Sequence, residues 1–228
     1  MARHDIVCVH TIVGFAPAHA AHFSVKADGT ILQSRDTRFQ SGANLNGNRR
    51  VIAIENEDHG RSFGDWNTGN GHAVPALTFE QVEGNAEILA WAHRTHGIPL
   101  RMAPNSRPTS RGLAYHRQGI DGDFSDFDFP GRVSGGEVWS EARGKVCPGD
   151  RKIDQRREIL ARAIEIVNGV DVTKLSQESL DQIRRLVREE IAKAGDTIRI
   201  DHDDRRSTPK WSLTTTLRWI RNTAARRR

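Results

Sequence analysis

VIAIENED, residues 51–58, is a β-branched apolar run that closes on three acids. A run of this kind reads as a strand whose far end delivers carboxylates. The turn-rich GANLNGNRR introduces it at residues 42–50. Further upstream, IVCVH at 6–10 reads as a second, buried strand that ends at His10-Thr11, ahead of a loop at Gly14. AHFSVKADGTILQSRD, residues 21–36, alternates and turns at Asp28-Gly29, a hairpin signal. Downstream lies the polar, Gly-rich HGRSFGDWNTGNGH, residues 59–72. Thr78 and Gln81 then form a capping box before a helix with Val82, Ile88, Leu89 and Trp91 as its apolar positions. That helix stops near His96-Gly97, before Pro99. Residues 111–122 read as a loop, followed by DGDFSDFDFPGRVSGGE and GKVCPGD. A last helix spans about 152–167, with Leu160, Ile164 and Val167 on one face. Strands interleaved with helices predict an α/β fold, a central mixed β-sheet flanked by helices.

The chain has 228 residues, 36% of them hydrophobic, enough for one domain of roughly 150–200 residues with a real core. Its apolar runs are far shorter than the roughly 20 residues a membrane span needs. MARHDIVCVH has neither the long apolar stretch nor the small-residue cleavage site of a secretory signal. The expectation is synthesis in a cytoplasm, with any export left to another agent.

The net charge of +5 is lopsided: residues 171–228 carry 14 Lys/Arg against 9 Asp/Glu, and residues 1–170 carry 20 of each. The chain therefore divides into a neutral domain, 1–170, and a basic C-terminal region, 171–228. Ser176 can cap a helix there with a Leu180, Ile183, Val187, Ile191 stripe, which could associate copies of the chain. The Arg226-Arg227-Arg228 end would meet an anionic surface. Nucleic acid is disfavoured, because only Trp211 and Trp219 accompany the charge. Anionic wall polymers or membrane lipids explain it equally.

Two cysteines are too few for a disulfide framework. Cys8, inside IVCV, reads as core. Cys147 sits instead between Lys145 and a Pro148-Gly149-Asp150 turn, where nucleophile, disulfide partner and metal ligand all stay open. A catalytic zinc takes three protein ligands from His, Cys and carboxylates, rigidly presented but not necessarily close in sequence. Among ten histidines, His10 stands at a strand end and His116 in the Gly-punctuated GLAYHRQG. His93 and His96 suit a helix C-terminus, where a cation meets the dipole. His4, His19, His59, His72 and His202 lie in polar or terminal stretches without ligand spacing. DGDFSDFDF lacks the Gly and the closing Glu of a calcium loop.

VHTIVG, AHFSVKADGTILQ, GNRRVIAIENED, YHRQGIDG and GKVCPGD follow one another over residues 4–168. This order resembles the type 2 N-acetylmuramoyl-L-alanine amidases of the peptidoglycan recognition protein fold, most of all endolysins of actinobacterial phages. The resemblance implies zinc bound by His10, His116 and Cys147, and hydrolysis of the amide between N-acetylmuramic acid and L-alanine in peptidoglycan. Glu55 would be the proton carrier, with Glu57 and Asp58 as exposed alternatives, and Lys145 would stabilise the oxyanion. His22 would be a core or outer-shell histidine. It also implies action on the host wall after holin-dependent release. Members of the fold that only bind peptidoglycan lack a zinc ligand, whereas all three positions are filled here. The chain departs from the pattern twice. Ala21 stands where many members have a tyrosine, a contact Tyr115 could replace, and His116 and Cys147 are 31 residues apart, further than usual. The insertion at 117–146 reads as a lid or groove loop.

Overall fold

The computed structural model describes residues 4–12, 16–58, 71–124 and 129–169. Residues 59–70 of the expected Gly-rich loop at 59–72, and the basic region at 171–228 with its expected helix and Trp-Arg end, lie outside the described residues. Five strands, β1 (Ile6–Ile12), β2 (Phe23–Val25), β3 (Ile31–Gln33), β4 (Val51–Glu57) and β5 (Gly112–Tyr115), form one mixed sheet in the order β3-β2-β4-β1-β5. β1 runs parallel to both β4 and β5, β2 parallel to β4, and β3 closes the hairpin antiparallel to β2. The helices are α1 (Phe79–His96), α2 (Asp150–Asp154) and α3 (Arg156–Val167). Together they make the expected mixed sheet flanked by helices.

The period of two along the central strands sorts their side chains onto two faces. Val7, Val9, Ile52 and Ile54 pack with Val82, Leu89, Ile159 and Ala163 of α1 and α3. Ile6, Cys8, Val51 and Ala114 form a smaller cluster with Ala103 and Trp139. Cys8 is therefore a fully buried core residue and a free thiol. The same alternation carries His10 and Glu55, which are register partners, to the end of the Trp139 face.

α1 begins with the expected capping box, Thr78 with Gln81, and ends at Gly97 in the left-handed conformation. Its buried face also carries amides. Asn85 donates to the Asn56 side chain, and Gln81 donates to the Glu57 and Val25 carbonyls. Asn56 in turn donates to the His10 carbonyl, so the helix holds the ends of β1 and β4.

The structure corrects the sequence reading in three places. Residues 112–115 are not loop but β5, an edge strand of four residues. Its opening Gly112 has φ of 123°, and the strand is too short to show a period. The last helix is two helices broken at Gln155, whose side chain leaves the helix to bond both Leu77 backbone groups. Its buried face is centred on Ile159 and Ala163, while Ile164 is 37% exposed.

His22 is fully buried, accepts the Ala53 N–H at Nδ1 and donates from Nε2 to the Phe39 carbonyl. Burial pushes its pKa down from 6.5 to about 4, with His4 and Arg35 adding to the fall and Phe39 opposing it. The folded state thus binds fewer protons than the unfolded chain between those values. Its contribution to stability is complete above pH 6.5 and is lost as pH falls through 4. Protonation would also turn Nδ1 from acceptor to donor against the Ala53 amide. We expect His22→Gln to remove on the order of 3 kcal/mol of the acid loss of stability. The comparison is the pH dependence of thermal unfolding in the two metal-free proteins. Parallel curves would show that His22 does not titrate on unfolding.

Among the described residues, no helix is long and apolar enough to cross a membrane.

Candidate metal centre

His10, His116 and Cys147 converge at one end of the sheet. Each offers a ligand atom within 4.8 Å of the others, and all three residues are buried. β1 delivers His10. β5 delivers His116 as the first residue of a 3-10 turn, His116–Gly119. Cys147 comes from the turn before α2, where Gly149 has φ of 94° and a Cβ would lie 2.3 Å from Val74 Cβ. Only glycine fits there.

The two imidazoles share one arrangement. His116 Nε2 lies 2.9 Å from the Trp139 carbonyl, an acceptor, so Nε2 carries the proton. His116 Nδ1 is then a bare lone pair, buried and without a hydrogen-bond partner. His10 Nε2 faces the Asn44 side-chain oxygen at 3.1 Å, and its Nδ1 lies 3.8 Å from Glu55. An imidazole that donates one N–H to an oxygen and keeps the other nitrogen free is prepared to bind a metal. The orphaned Nδ1 of His116 and the N₂S donor set both fit zinc.

Electrostatics agree with a cation site. Burial and then Lys145 push His116 down to about 3, against the Trp139 bond. His10 is lowered by burial, then by His116 and Lys145, against the Asn44 bond. Both are neutral at physiological pH. Burial pushes the Cys147 thiol up to about 12, with Lys145 opposing and Glu55 adding. Such a thiol is inert as a free nucleophile at neutral pH, but a metal ligand is deprotonated by coordination. Both cysteines are free, so no disulfide competes.

Glu55 is the acid of the site. Its side chain is 16% exposed and its Oε2 has no hydrogen-bond partner. Burial pushes its pKa up to about 8, with Lys145 and Lys152 pulling down and Asp58 pushing up. Glu57 and Asp58 are not the exposed alternatives expected. Glu57 is buried and accepts the Ala16 and Ala27 amides. Asp58 is buried against Lys152 at 3.2 Å and accepts the Thr11 hydroxyl at 2.6 Å. Strand alternation alone does not reveal these partners, which come from the connections after β1 and β2, from β1 itself and from α2.

A groove of about 300 Å³ opens beside the cluster, lined by His116 and Lys145 together with Leu45, Trp139, Ser140 and Glu141. The end of the insertion, residues 139–145, therefore forms a wall of the groove. It is anchored by Trp139, which is 1% exposed, and by Arg50, whose Nε reaches both Glu137 oxygens at 3.0 and 3.1 Å. Gly119 has no room for a side chain, because a Cβ would meet the Trp139 ring at 2.2 Å. Tyr115 is spent elsewhere: its hydroxyl donates to the Pro130 carbonyl and its ring lies under Arg156. His93 bonds the Ile98 carbonyl, as suits a helix end, while His4 is buried against His22 and His96 rather than solvated.

Residues that carry no motif complete the surroundings. Asn44, in the turn before β4, orients His10. Arg117, fully buried, pairs with Asp150 at 2.8 Å, and its N–H donates to the Cys147 carbonyl. That ties the His116 and Cys147 segments together.

No family model matches the chain, and no curated protein matches it. Among solved structures it is similar to the N-acetylmuramoyl-L-alanine amidase LysC of Clostridium intestinale URNW, at 16% identity and TM-score 0.43, over 70% of this chain and 85% of that one. The endolysin amidase LysCS of the same organism gives 16%, 0.43, 70% and 83%. The hydrolase AmiA of Staphylococcus aureus gives 16% and 0.45, over 74% and 76%. Superpositions this loose carry no argument about chemistry, which rests on the side chains of this chain.

Proposed function

We propose that the chain is a zinc-dependent N-acetylmuramoyl-L-alanine amidase acting as an endolysin of a phage that infects actinobacteria. The observation that carries the reading is the pair of neutral imidazoles, each with Nε2 against an oxygen and Nδ1 left over, converging with a buried thiol. The five sequence blocks that resemble the family supply the substrate. His10, His116 and Cys147 would hold the ion, which supplies Lewis acidity that acidifies water and polarises an amide carbonyl.

Glu55 accepts the proton of the attacking water and hands it to the departing L-alanine nitrogen. Burial pushes this carboxyl up to about 8 in the metal-free site and a bound cation would pull it back down, two opposing pushes that suit a group which must both take and give a proton. Lys145 faces the charge that develops on the carbonyl oxygen, an interaction strongest in the transition state. The groove beside His116 receives the substrate, with Leu45 as its apolar contact and Trp139 fixing its wall. Residues 1–170 form the catalytic unit. The basic region, 171–228, holds the enzyme to anionic wall polymers, a binding that weakens as salt screens it.

A soluble N-acetylmuramoyl-L-alanyl peptide tests the reading. The zinc-loaded protein should release N-acetylmuramic acid and free peptide in equal amounts. Lys145→Ala should keep its zinc and turn over roughly 10- to 100-fold more slowly, the lower end reflecting solvent screening of a half-exposed ammonium. An intact substrate after long incubation with loaded wild-type protein would refute the activity.

A further inference from the structure

Behind the candidate metal centre lies a second polar cluster that the chemistry above does not use. Lys152 is fully buried and donates to the Thr11 hydroxyl and to Asp58 Oδ2, the latter at 3.2 Å. The Thr11 hydroxyl in turn donates to the same Asp58 oxygen at 2.6 Å. Taking an ion pair out of water costs several kcal/mol per ion, and well-packed apolar residues usually serve stability as well or better. A pair this deep needs another reason to be there.

The connectivity supplies one. Each member lies a few residues after a group of the site: Thr11 after His10 on β1, Asp58 after Glu55 beyond β4, and Lys152 after Cys147 in α2. The cluster joins the three segments at one point. We propose that Thr11, Asp58 and Lys152 are positioning residues for the metal centre, fixing the Cys147 sulfur and the His10 strand end in the geometry that one ion demands. The proposal rests on the metal reading above. Ligands drawn from distant segments must be held to a fraction of an ångström, and outer-shell partners are what hold them. The fourth segment, bearing His116, is tied in separately through Arg117 and Asp150.

The test uses the full chain and two variants. Thr11→Val removes the hydroxyl while leaving the ion pair in direct contact. Lys152→Met with Asp58→Asn removes both charges together, so neither is left buried alone. Zinc affinity is read by chelator competition, and ligand geometry by the sulfur-to-metal charge-transfer band of the cobalt-substituted protein. Both variants should bind zinc about 10- to 100-fold more weakly and show a shifted cobalt band, with little change in metal-free melting. A cluster that serves folding alone would lower melting and leave the affinity and the band of folded protein at their wild-type values, which overturns the proposal. If the double variant does not fold, Thr11→Val decides: wild-type affinity and band there are the contrary result. A wild-type protein that takes up neither zinc nor cobalt would instead overturn the metal reading itself.

Discussion

Cys147→Ser and His116→Ala should each leave the purified protein with a small fraction of its zinc, against close to one ion per chain in the wild type. Each variant deletes one of three protein donors. The remaining two belong to different segments and cannot clip the ion alone. Loss of an outer-shell partner already costs about 10- to 100-fold in affinity, so loss of a ligand must exceed that. His22→Gln is the control, because His22 is bonded at both nitrogens to backbone and stands outside the cluster. Zinc uptake should also release a proton, since burial holds the metal-free thiol at about 12 and coordination removes that proton. Affinity should therefore rise with pH across the neutral range. Metal analysis that finds full zinc in both ligand variants would place the ion elsewhere.

Glu55→Gln should fold, keep its zinc and lose turnover by about 10²-fold or more. The amide matches the carboxyl in shape but cannot carry a proton between water and the leaving nitrogen. The fold should tolerate it: Glu55 makes no short ion pair, and in the metal-free protein a buried carboxyl at about 8 is already mostly neutral at pH 7. Neither neighbouring acid is placed to take over, because Glu57 is fastened to two backbone amides and Asp58 to Lys152. Near-normal turnover in Glu55→Gln, measured beside its zinc content, would remove Glu55 from the mechanism.

Much of this was legible in the chain. The runs at 6–10 and 51–57 and the hairpin at Asp28-Gly29 are long or patterned enough to announce strands, and the Thr78/Gln81 box announces α1. His10, His116 and Cys147 were visible as residue types in matching blocks, and the fold brings them together. What stayed hidden depends on contacts between distant segments. β5 has four residues and exists because β1 pairs with it. The junction of α2 and α3 falls at Gln155, whose side-chain amide ties to both Leu77 backbone groups 78 positions away, a contact that no local pattern shows. The acids after Glu55 look exposed until Lys152, 94 positions away, is seen to reach Asp58 and the Ala16 and Ala27 amides to reach Glu57. Asn44 and Arg117 sit in segments without periodicity, so no local signal marks them.

The most direct measurement is mass spectrometry of purified actinobacterial peptidoglycan digested by the full chain, with chelator and after zinc is restored. The account predicts new free L-alanine amino termini on the stem peptides, absent with chelator and recovered with zinc, while the glycan strands stay uncut. Cleavage at a glycosidic or peptide–peptide bond, or L-alanine termini that persist undiminished in chelator, would contradict it.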